Sequence, residues 1–60
     1  MVKISVELSE VEAEALAQFL KRVGWVDWRQ NAVNDAEAAE MRAACEVVQR
    51  ALRDSGFAPR

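Results

Sequence analysis

The side chains with the makings of chemistry are few. Cys45 is the single thiol and histidine is absent, which removes the commonest general base and every Ser-His or Cys-His nucleophile. Cys45 falls at helical spacing with Met41, Val48 and Leu52, where a thiol behaves as a small, inert hydrophobe. Paired carboxylates occur only at surface helical spacing, with no sign of a cleft. Gly24 and Gly56 read as helix stops rather than as a phosphate-cradling loop. A structural zinc site needs a full set of nitrogen or sulfur ligands that one cysteine cannot supply. The expectation is a protein that is not an enzyme, with no catalytic residues, metal, cofactor or small-molecule substrate.

The other distinctive stretch is "GWVDWRQNAV", residues 24–33, which holds both tryptophans. Two readings stand. Large aromatics supply much burial per residue, so Trp25 and Trp28 can close the open end of a small core. Alternatively, an indole exposed beside Arg29, Gln30 and Asn31 has the composition of a protein-binding hot spot. The expectation combines them, with Trp25 packed and Trp28 partly exposed.

These residues need elements to hold them. Residues 2–8, "VKISVEL", alternate Val2, Ile4, Val6 and Leu8 with Lys3, Ser5 and Glu7, the period-two pattern of a half-buried strand. Ser9 and Glu12 form a capping box that opens a helix over 9–23. Its apolar face is read as Ala13, Leu16, Phe19, Leu20 and Val23, with Gly24 ending it in a left-handed turn. Trp25, Trp28 and Ala32 at i, i+3, i+7 suggest a short helical connection over 24–33. A long helix follows over 34–55, capped by Asn34 with Glu37 as its box partner. Gly56 stops it, with Phe57 folding back onto Leu52. The expected fold class is α+β, mostly α, in a single small domain of residues 1–60.

A chain of 60 residues buries only about 60% of the surface its unfolded form exposes and is marginal alone. A lone strand also leaves its backbone donors and acceptors unpaired. Both problems point to a homodimer in which the same strand from two copies pairs, with Ile4, Val6 and Leu8 as the dimer strand's apolar face. "KISVELSEVEAEALAQFLKR" accordingly resembles the opening of a ribbon-helix-helix protein of the MetJ/Arc type. That resemblance implies an intertwined dimer with the ribbon's solvent face in the DNA major groove, where Lys3 and Ser5, with Glu7, would be the reading residues.

Charge points elsewhere. The net charge of −2 exerts no overall pull towards nucleic acid or an anionic membrane. The long helix opens "NDAEAAE", whose acids repel the phosphate that a helix N-terminus otherwise attracts. Helix starts are acidic and helix ends basic, as the macrodipoles prefer, and Glu46 with Arg50 makes a favourable i, i+4 pair. Glu7, Glu10 and Glu14 form an acidic stripe able to engage a basic protein surface. The functional expectation is therefore a small protein-interaction module. Trp28, Arg29 and Gln30 are one candidate contact set, and Glu7, Glu10 and Glu14 the other. In size and acidic character the chain looks similar to accessory proteins of phages and mobile elements, among them inhibitors of bacterial nuclease complexes such as CRISPR effectors. The alternative is a ribbon-helix-helix DNA-binding transcriptional regulator. "MVKISVELSE" lacks a signal peptide's apolar core, no stretch is long enough to cross a membrane, and the thiol is free. The expected location is the cytoplasm.

Overall fold

A computed structural model describes residues 1–57. Its elements are α1 (Glu10–Arg22), α2 (Trp25–Asn31) and α3 (Asp35–Asp54), and α1 and α2 each pack against α3. No strand occurs among the described residues, which corrects the α+β expectation. Residues 1–9 take no regular structure. A period-two row supplies an apolar face but not the hydrogen-bonding partner that makes a strand. The described residues of one chain provide no such partner. The expected dimer-strand residues lie in the open instead. Exposure falls from 79% at Ile4 through 73% at Val6 to 44% at Leu8, declining towards α1 rather than alternating.

α1 starts where its capping chemistry dictates. The Glu12 backbone N–H donates to Ser9 Oγ at 3.1 Å, and the Ser9 N–H donates to Glu12 Oε1 at 2.9 Å. Hydrogen bonding from the Ser9 backbone, and secondly from its side chain, holds the Glu12 carboxyl below the ordinary carboxylate value of 4.5. A carboxylate whose folded-state pKa is depressed stabilises the fold above its unfolded value and loses that contribution as pH falls through the folded one. The melting temperature should therefore drop with acidification below about pH 4.5, the carboxylate's reference value. Glu12→Gln keeps a box-competent side chain and should flatten this acid limb. Thermal melts of both proteins across the acid range check it.

The buried face of α1 is Ala13, Ala17 and Leu20, with Gln18 also buried. Phe19, expected in the core, is 60% exposed. Rows 13, 16, 20 and 16, 19, 23 overlap on this helix, and α3 takes the side centred on Ala17. The core joins Ala13, Ala17 and Leu20 to Leu52, with Leu16, Cys45 and Phe57 packed against them. The N-terminal half of α1 thus lies by the C-terminal end of α3.

Val23, not Gly24, caps the C-terminus of α1, and both residues are extended rather than left-handed. Gly24 is instead the N-cap of α2. Its N–H donates to Asp27 Oδ2 at 2.9 Å, but it has no side chain to accept a bond in return. A Cβ placed there meets nothing within 4 Å. Gly24→Ser should complete the box and lower the entropy of the unfolded chain. The expected gain is about 0.5–1 kcal/mol, read from urea unfolding.

α3 opens on Asn34, whose Oδ1 accepts the Glu37 N–H at 2.8 Å. Glu37 reaches past the cap to the Val33 N–H at 3.0 Å, so the box is displaced by one residue. The helix ends in a Schellman motif: the Phe57 N–H donates to the Leu52 carbonyl at 2.8 Å and the Gly56 N–H to that of Arg53 at 3.0 Å. Gly56 takes φ +96°, the left-handed region that suits glycine. Ala38 and Leu52 are buried, and Met41, Cys45 and Gln49 are half-buried. Val48, at 42% exposure, falls outside that stripe.

Candidate functional site

Two surfaces combine exposed apolar side chains with a concave shape. The first is a groove of about 430 Å³ between residues 4–8, the start of α1 and the end of α3, lined in part by Ile4, Val6, Leu8, Leu16, Val48 and Phe57. It exists because the Ser9 cap turns the chain from the irregular segment into α1 beside the Schellman turn of α3. Leu8, just before that cap, and Ala13, four residues after it, line the same groove, as in a hydrophobic staple. The second is a shallower hollow of about 340 Å³ where α1 passes into α2, lined by Phe19, Arg22, Val23, Asp27 and Asn31.

Both candidate contact sets are differently disposed from expectation. Trp28 is half-buried and Trp25 is 44% exposed, the reverse of the expected arrangement. The Trp28 Nε1 is buried with no hydrogen-bond partner among the described residues. Arg29 is committed to structure: its Nε sits 2.6 Å from Asp35 Oδ1, and its Nη1 donates to the Ala32 carbonyl at 3.2 Å. The guanidinium thereby ties the end of α2 to the start of α3. Gln30 is exposed. Glu7, Glu10 and Glu14 are all exposed, with Glu10 and Glu14 one helical turn apart on α1. Lys3 and Ser5 are exposed on the irregular segment. Glu46, expected to pair with Arg50, pairs with Arg42 at 3.3 Å. Among the described residues no group of His, Cys, Asp and Glu could hold a metal ion, and no described helix is long and apolar enough to cross a membrane.

A family model for a family of unknown function, DUF7706, matches residues 1–60. The chain belongs to DUF7706. No curated protein matches it, and no solved structure does.

Around the hollow, Phe19 supplies apolar area beside the Arg22 cation and the Asp27 carboxylate. That mixture of an aromatic, an arginine and a polar rim is the composition of a protein-contact patch. Periodicity placed Phe19 in the core because it cannot tell two overlapping stripes apart. The large residue on the outer edge of α1 was the available signal for this site.

Proposed function

We propose that the chain is a non-catalytic protein-interaction module acting in the cytoplasm. Its contact face is the hollow between α1 and α2, where Phe19 and Arg22 are the anchors. The observation that carries this reading is the exposure of Phe19, 60%, on a helix that has smaller residues to bury. A phage or mobile-element accessory protein, such as an inhibitor of a nuclease complex, is the narrower form of the proposal, supported by an acidic character with a net charge of −2.

The first measurement is a titration against a random-sequence DNA duplex at low and at physiological salt. No binding at either salt is expected. Binding that falls steeply with salt would replace this reading with a DNA-binding regulator, and loss of that affinity in Lys3→Ala would place its contacts on residues 1–9. In parallel, affinity purification from the native host compares wild type with Phe19→Ser and Lys3→Ala. The proposal requires a protein held by wild type and Lys3→Ala but lost with Phe19→Ser.

A further inference from the structure

The groove between residues 4–8, α1 and the end of α3 is not part of that contact face. Its apolar lining is left open by the chain's own fold. We propose that it is the seat of a second copy of this chain, the two copies meeting groove to groove about a two-fold axis as helical subunits.

Area carries the argument. A compact monomer of 6.7 kDa is expected to expose about 3,900 Å². This chain exposes 5004 Å², an excess of about 1,100 Å² over that scaling. A stable protein–protein interface removes about 800 Å² from each partner, and obligate dimers remove more. The radius of gyration agrees: 12.2 Å against about 10.4 Å for a compact chain of this length. A surplus of that size matches what a dimer interface removes, and the exposed apolar side chains of residues 1–9 contribute to it.

The composition of the surplus and of the core points the same way. Ile4, Val6, Leu8 and Val48 are all exposed on this one groove. Among the described residues no large side chain is fully buried, and three of the five buried apolar residues are alanines. A core this thin needs a staple. One cysteine excludes an internal disulfide, and no metal-binding group is present among the described residues. What covers the groove must then be at hand whenever the chain folds, and another copy of the chain meets that condition. An isologous contact also suits the groove, because residues 4–8 supply the ridge and α1 with α3 the recess. Lys3 and Glu7 give residues 1–9 side-chain charges of both signs.

Sedimentation equilibrium and concentration-dependent melting test it. Wild type should sediment at about twice 6.7 kDa at micromolar concentration, and its melting temperature should rise with concentration, as linkage requires of a dimer. Ile4→Lys and Val48→Lys, both at exposed positions of the single chain, should raise the dissociation constant about thirtyfold or more, the effect of losing a hot spot. Phe19→Ser should leave it unchanged. A wild-type chain of monomer mass with a concentration-independent melt overturns the proposal even if the lysine variants do not fold. So does a dimer that ignores both lysines or that yields to Phe19→Ser. Failure of the hollow to hold a protein partner leaves these readouts untouched, so the two proposals fall separately.

Discussion

Leu52→Ala should lower the melting temperature by about 10 °C or more, the largest effect expected of any aliphatic truncation in this chain. Leu52 is 8% exposed and shares the central cluster with Ala13, Ala17 and Leu20. Only two of those four residues are larger than alanine. Removing one of the two leaves a void that the alanines cannot fill. Such truncations cost about 2–5 kcal/mol. A chain of this length has about 3–9 kcal/mol to lose, and each kcal/mol shifts the midpoint of a small domain by about 4–8 °C. Leu52 also carries the carbonyl that receives the Phe57 N–H. Alanine keeps that bond but removes the side chain against which Phe57 folds back. Ala43, exposed on the same helix, gives the contrast: Ala43→Ser should move the midpoint by a few degrees at most. Circular dichroism melts of the three proteins at one concentration decide the matter, and a Leu52→Ala midpoint within a few degrees of wild type would mean the core lies elsewhere.

What the sequence made legible divides by range. Ser9 with Glu12, Asn34 with Glu37, Gly56 with Arg53, and Phe57 with Leu52 close their bonds within a few residues, so residue type and spacing nearly determine them. The two long helices follow from those caps and from the apolar stripes between them. The strand did not follow, because pairing is non-local: the alternation in residues 2–8 describes a surface that wants cover, and says nothing of what provides it. The choice of face on α1 was likewise undetermined. Leu16, Phe19 and Leu20 satisfy helical spacing as well as Ala13, Ala17 and Leu20 do, and the position of α3 selects the second set.

The candidate contacts were legible as residues but not as roles. Arg29 reads as a surface cation in the sequence. Only the short turn after α2 brings Asp35 within 2.6 Å of it and converts it into a link between helices. Such an exposed pair is worth about 0.2–1 kcal/mol, so it orients α2 rather than stabilises the fold. Gly24 reads as the end of one helix because glycine so often is. It serves as the start of the next because Val23 can finish α1 in an extended conformation and the Asp27 carboxylate waits three residues ahead. In each case the residue type was informative and its partner was not.

The two tryptophans separate once their surroundings are compared, and Trp28 gives the second large effect. Trp28→Ala should cost about 2–3 kcal/mol, below the cost of emptying a fully buried indole site because Trp28 is only half-buried. Trp28→Phe should behave quite differently. The Nε1 that phenylalanine lacks is buried and finds no acceptor among the described residues, and an unsatisfied buried donor costs about 1–3 kcal/mol. Its removal offsets most of the area lost with the smaller ring, so Trp28→Phe should fall within about 1 kcal/mol of wild type by the same reckoning. Trp25→Ala, at a site 44% exposed, should cost less than Trp28→Ala. Urea titrations rank all three. If Trp28→Phe proved as damaging as Trp28→Ala, the indole nitrogen would have to be satisfied in solution by an acceptor other than the described residues. Trp28 would then count again as a candidate contact residue.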